Sequence, residues 1–286
     1  MNLRKALCLR DGGVVSLVGG GGKTSLMFRL AEELSGAGET VLTTTTTKIM
    51  MPTREQSPQV ILATSPEAVL SGARALLLKA PHVSAASSRL LEVPGKIGGF
   101  LPQHIDRLWA SGLFRWILVE ADGAAQKPLK VPADHEPVLP LSSCFVIGVV
   151  GLKVLGKPLD KNWVFRHERY ARITGLSSGD PVTVASIAAV AIHENGIFKD
   201  TPASARRILF LNGADYPEGQ VAGRAVANIL LAACGPPIER VVVGRPKETP
   251  PVIDIFDIQF ADLSNRTSCT RPIWPLSRRT LIPRVW

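Results

Sequence analysis

Short apolar runs alternate along the chain with stretches of helical period. The runs lie at residues 14–18, 40–44, 60–63, 116–120, 145–150, 208–212 and 240–244, and helical spacing of apolar positions starts at Thr24, Pro66, Pro181 and Gly219. Runs with little polar alternation suit strands buried on both faces, and the helical stretches between them supply the cover. The alternation predicts an α/β fold, a mostly parallel sheet with helices on both faces. Asp180-Pro181 as a start and Gly196 as a stop frame residues 182–195 as one buried helix. Residues 1–11 carry charge and lack the apolar centre of a signal peptide, so they read as a short first helix.

Composition narrows the picture only modestly. At 286 residues with 45% hydrophobic content, the chain has room for one large α/β domain, or for a domain with a modest second lobe. No apolar run approaches a membrane span, the longest lying at 182–192 with Thr183 and Ser186 inside it; no membrane association is expected and a cytoplasmic location is. Cys8, Cys144, Cys234 and Cys269 form no C-x-x-C pair, which argues against a disulfide framework and a zinc knuckle. Cys144 and Cys234 sit in apolar segments and read as buried, inert thiols. Of the net charge of +9, residues 259–286 contribute +4 through Arg266, Arg271, Arg278, Arg279 and Arg284 against Asp262, leaving +5 for the body. That charge suits an anionic nucleotide, and the absence of a dense basic run with interleaved aromatics speaks against nucleic acid. The sequence therefore divides into an α/β domain at 1–258 and a Pro/Arg-rich, poorly ordered tail at 259–286.

The chemistry starts at Gly19-Gly20-Gly21-Gly22-Lys23-Thr24-Ser25, between an apolar run and a helical pattern. Glycines let a backbone wrap a phosphate and aim N–H groups at it, the helix start adds its positive dipole end, and Lys23 adds a point charge. Thr24 is placed to offer its hydroxyl to Mg²⁺. As a loop residue, Lys23 is expected to serve the ligand and to contribute little to the core. The spacing is shorter than the usual Walker A loop, whose first glycine falls here at Leu17. It resembles the abbreviated phosphate loop of the Mur ligases and folylpolyglutamate synthases and implies a P-loop NTPase-like fold.

Further candidates cluster at strand ends. Thr43 to Thr47 and then Lys48 end the second strand, where hydroxyls such as that of Thr46 can meet a terminal phosphate or Mg²⁺ and Lys48 can neutralise charge. Glu120 and Asp122, spaced i and i+2 behind four apolar residues, fit a Walker B pair: one carboxylate for Mg²⁺, the other to orient a nucleophile. A proline-stiffened loop follows with Lys130, Asp134, His135 and Glu136, a density of ionisable groups that suits substrate capture or acid/base work. Asn212 and Asp215 form an N-x-x-D at another strand end; GTPases use N-K-x-D there to read guanine, and Gly213 stands in place of the lysine.

Taken together, V-G-G-G-G-K-T-S, T-T-T-T-K-I, V-E-A-D-G, P-L-K-V-P-A-D-H-E-P-V and L-N-G-A-D resemble the YqeC-type family of selenium-dependent molybdenum hydroxylase accessory proteins. The resemblance runs from the first helix to about Val243 and implies a P-loop fold and a part in maturing molybdenum hydroxylases. By it, Lys23, Thr24, Glu120, Asp122, Lys130, His135 and Glu136 carry over as site residues. Phe165-Arg166-His167-Glu168 departs from the family's His-Arg-Pro-Glu-like order, so no role is carried to Arg166 or His167. The expectation is a Mg²⁺-dependent binder of ATP or GTP, a slow NTPase with a molybdenum hydroxylase or its cofactor-assembly proteins as partner. Two alternatives stand beside it, a small-molecule kinase or Mur-like ligase, and a non-catalytic chaperone switched by nucleotide.

Overall fold

The computed structural model describes residues 1–90, 93–233 and 238–258. In chain order the principal elements are α1 (Leu3–Ala6), β1 (Gly13–Gly19), α2 (Lys23–Gly36), β2 (Val41–Thr45), β3 (Val60–Leu62), α3 (Pro66–Leu77), β4 (His82–Ala86), α4 (Pro102–Ala110), β5 (Trp116–Glu120), β6 (Ser143–Gly151), α5 (His167–Thr174), α6 (Val184–Ile192), β7 (Arg206–Asn212), α7 (Pro217–Ala232), β8 (Arg240–Gly244) and β9 (Val252–Asp257). Nine strands form one sheet in the order β9-β8-β7-β6-β1-β5-β2-β4-β3. Every neighbouring pair is parallel except β8–β9, which is antiparallel at the edge. The fold is α/β, as the alternation predicts.

The apolar runs are continuous because each central strand feeds two cores. Val14 and Val18 of β1 join Ile117 and Val119 of β5 and Val146 and Val150 of β6 in a core completed by α3, α4, α6 and α7. Val15 and Leu17 join Trp116, Leu118, Phe145, Ile147 and Val149 in a second core, covered by Leu3 and Leu7 and by Leu26, Leu30 and Leu34 of α2. Period-2 geometry sends successive residues to opposite faces, so a strand covered on both sides has no polar positions to show. The stripe Leu26, Leu30 and Leu34 is fully buried, at about 2 kcal/mol per side chain, whereas the N-cap Gly22 supplies no side-chain oxygen. Tertiary packing therefore positions α2, whose first turn has no side-chain cap.

Several boundaries differ from the sequence reading. Pro181 does not start a helix; it bridges to Pro158, and Thr183 caps α6 through a capping box with Ser186. β4, β9, α4 and α5 were not evident in the apolar pattern. The tail at 259–286, Cys234 and Cys269 lie outside the described residues. Cys144 is buried but disulfide-bonded, which corrects its reading as an inert thiol; Cys8 is free. Among the described residues, no helix is long and apolar enough to cross a membrane.

Parallel pairing of β4 with β2 buries His82, its Nε2 lying 3.0 Å from Thr43 Oγ1. Burial pushes its pKa down from 6.5 to about 4. A folded-state pKa below the unfolded value contributes stability that is present above pH 6.5 and is lost as pH falls toward 4, on the order of 3 kcal/mol in full. Urea midpoints for wild type and His82→Gln between pH 7 and 4 check this. The wild-type midpoint is expected to fall more steeply over that window, and parallel curves would refute the assignment.

Candidate phosphate-binding site

The site lies beyond the C-terminal ends of β1, β5, β6 and β7, four neighbours at the middle of the sheet. Gly19, Gly21 and Gly22 adopt φ values of 92°, 76° and 123°, which side-chain-bearing residues rarely adopt. Space imposes the same limit: a Cβ at Gly20 would lie 2.8 Å from Lys127 O, and one at Gly21 2.6 Å from Pro128 O. The segment ending at Pro128 is thus strapped across the glycine loop, and Asn212 Nδ2 donates to Gly21 O at 2.7 Å from the other side.

Lys23 is not a surface loop residue. It is 4% exposed, donates to Gly19 O at 2.6 Å, and lies 3.1 Å from Asp122 Oδ1 and 3.8 Å from Glu120 Oε1. Burial alone pulls the ammonium pKa down, but the charges of Asp122 and Glu120 outweigh it and the net direction is upward. The expectation that this lysine contributes little to the core is therefore corrected. Glu120, the last residue of β5, accepts from Thr24 Oγ1 at 2.7 Å. Its carboxyl pKa is raised, chiefly by burial, against the lowering effect of Lys23.

Asp122 is committed differently. Its Oδ2 accepts from Gly19 N at 3.0 Å and lies 3.1 Å from Lys130 Nζ, while Oδ1 faces Lys23. Lys130 is fully buried, donates to Gly123 O at 2.5 Å and meets Glu136 Oε2 at 2.6 Å. Burial tends to raise the Glu136 pKa, but hydrogen bonds from Arg166 and Lys130 hold it down at about 2. One connected cluster thus runs from the glycine loop through Asp122 and Lys130 to Glu136.

Sequence reasoning missed Arg166. Its Nη1 lies 2.6 Å from Glu136 Oε2, and its guanidinium stacks over Phe165 at 4.4 Å. Its backbone is left-handed at the start of α5. Arg166 arrives there because Val164–Phe165 pairs in parallel with Leu129–Lys130, a long-range pairing with no sequence signal beyond the unusual order at residues 165–168.

The other candidates are spread more widely. Thr46 is half-buried and its hydroxyl donates to Val138 O at 2.7 Å. Ser25 sits in the first turn of α2 and makes no side-chain hydrogen bond among the described residues. Lys48, His135 and Asp215 are exposed, and none makes an ion pair with the buried cluster. Asn212 reaches the glycine loop, whereas Asp215 lies beyond the end of β7.

The family model for the YqeC protein matches residues 15–168, a span that contains every member of the charged cluster. The YqeC protein of Escherichia coli (strain K12) is 37% identical over 249 residues, covering 85% of this chain and 91% of that one. The chain belongs to the YqeC family. Among solved structures, FtsY from Mycoplasma mycoides aligns with 87% of the chain at 12% identity and a TM-score of 0.35, and the chain spans 65% of that structure's length. For a YqeC family member, the local geometry of the glycine loop is the more direct guide to chemistry.

Proposed function

We propose that this protein binds a Mg²⁺–nucleoside triphosphate, ATP or GTP, at the glycine loop and hydrolyses it slowly. The observation that carries the reading is the junction itself: a glycine loop at the end of the central strand, opening a helix without a side-chain cap, with Lys23 buried in it and Thr24 hydrogen-bonded to Glu120. The first turn of α2 and the loop N–H groups supply donors for phosphate oxygens, and Lys23 supplies charge.

Thr24 Oγ1 and Glu120 Oε2 are hard oxygen donors 2.7 Å apart, the chemistry Mg²⁺ takes when phosphates and water complete its shell. Both would hold the ion, which neutralises charge developing on the phosphate. Asp122, bound by two ammonium groups and a backbone N–H, fits better as the anchor that aims Lys23. Removal of the Glu120 charge is the direct test. By calorimetry with ATP and GTP, Glu120→Gln is expected to weaken Mg²⁺-dependent affinity about 10- to 100-fold, or about 1.4–2.8 kcal/mol. Affinity without Mg²⁺ should stay within about twofold of wild type on the same energy scale. Identical Mg²⁺ dependence in both proteins would refute the metal assignment, and absence of triphosphate binding in wild type would refute the reading as a whole.

The accessory role in maturing selenium-dependent molybdenum hydroxylases is supported by the motif resemblance. A nucleotide-dependent pull-down of a hydroxylase subunit tests it. A second reading, phosphoryl transfer to a small acceptor as in a kinase or Mur-like ligase, is favoured by the constellation of the buried Lys130 with the half-buried Glu136 and Arg166 beside the loop. Turnover that yields an identified phosphorylated product would select it.

A further inference from the structure

Glu136 occupies a place that is built independently of it. Its Oε2 is met by Lys130 Nζ at 2.6 Å, Arg166 Nη1 at 2.6 Å and its own loop's Ala133 N–H at 3.3 Å. Both cations have other supports. Lys130 is fully buried and tied to Asp122 and to Gly123 O; Arg166 donates to Val131 O at 3.3 Å and stacks on Phe165. The glutamate, by contrast, rides on a loop whose neighbouring residues Asp134 and His135 are exposed. That loop is held from outside by the Arg169–Asp134 pair at 2.7 Å and by Lys199 Nζ on the Asp134 and Glu136 carbonyls. A fixed receptor with a peripheral occupant is the arrangement of a binding site filled by a stand-in.

We propose that Lys130 and Arg166 form the site for the carboxylate of a small acceptor substrate, and that the Glu136 carboxylate fills it in the free protein and withdraws when the acceptor binds. The inference rests on the nucleotide reading only in calling the ligand an acceptor. Lys130 shares Asp122 with Lys23 and Gly19 N, so the anion site is one carboxylate removed from the phosphate loop. Without Glu136, the half-buried Arg166 has no ion-pair partner among the described residues and the buried Lys130 keeps Asp122 alone, so the place favours an incoming anion, and the planar Arg166 guanidinium favours a carboxylate. Glu136, with its pKa of about 2, stays ionised at neutral pH, so protonation does not empty the site and a competing anion must.

The test uses the full chain without nucleotide, with sodium acetate and inorganic phosphate as probes and chloride at equal ionic strength as reference. Glu136→Ala opens the site and is expected to lower the thermal midpoint. Acetate in tenfold excess over its dissociation constant should then raise that midpoint by about 4 °C more than in wild type. The double variant Lys130→Met/Glu136→Ala should show no acetate-specific gain. Glu136→Ser serves as a second opening variant, and refolding from urea with and without acetate covers a variant that does not fold unaided; recovery with acetate supports the site. Equal responses to acetate and chloride in both opening variants, or no recovery with acetate, would overturn the proposal. A response to phosphate alone would overturn the carboxylate assignment. Nucleotide calorimetry on wild type reads the neighbouring loop separately, so either reading can fail without the other.

Discussion

Lys23→Ala is expected to lose triphosphate binding and, at the same time, to destabilise the fold by about 3–5 kcal/mol. On the phosphate-loop reading, the first effect follows from removing the ammonium group that the glycine loop holds. The second follows from burial: Lys23 is 4% exposed beside Asp122 and Glu120, and its loss leaves carboxylates in a dry place without their cation. The effects separate in Lys23→Ala/Asp122→Asn, which should regain much of the stability and none of the binding. Urea denaturation and calorimetry on the three proteins read both. A single variant as stable as wild type would contradict the buried ion pair, and one that binds as wild type does would end the phosphate-loop reading.

Lys130→Met should cost a similar amount, about 3–5 kcal/mol at pH 7. The lysine is fully buried, and its ammonium serves Asp122, Glu136 and the Gly123 carbonyl together. Methionine nearly keeps the volume, so little of the deficit is cavity. The sign with pH distinguishes charge from packing. Carboxylates that have lost their cation take up protons more readily in the folded protein, so the deficit should shrink as pH falls from 7 to 5. A deficit that stays constant over that range would mean that Lys130 matters for packing alone.

How much of this could be read from the chain depends on how local each signal is. β1, β5 and β6 are legible because burial on both faces makes them continuously apolar, and Glu120 and Asp122 because they end such a run. β4 is not: His82-Val83-Ser84-Ala85-Ala86 is buried throughout, yet its small and polar residues acquire partners only when Thr43 is brought alongside. Lys23, Thr24 and the glycines are legible as one loop because they are adjacent in sequence. Arg166 is not, because its partner Glu136 is 30 positions away and a two-residue strand pairing joins them. Nor does sequence separate the surroundings of Glu120 and Asp122, which differ by the Thr24 hydroxyl on one and two lysines on the other.

The connected cluster contains Lys23, Lys130 and Arg166 against Glu120, Asp122 and Glu136, three formal charges of each sign. Before any ligand arrives, it is electrically balanced. A triphosphate entering such a place finds no surplus of positive charge waiting, and its negative charge must be matched by something that comes with it. On the proposed function, cation uptake would accompany nucleotide binding, and the free Mg²⁺ concentration would set the apparent affinity together with the nucleotide concentration. A balanced interior also projects little long-range field. Attraction of a nucleotide from a distance would then come from the net charge of +9 carried elsewhere on the chain, and the cluster itself would act only on contact.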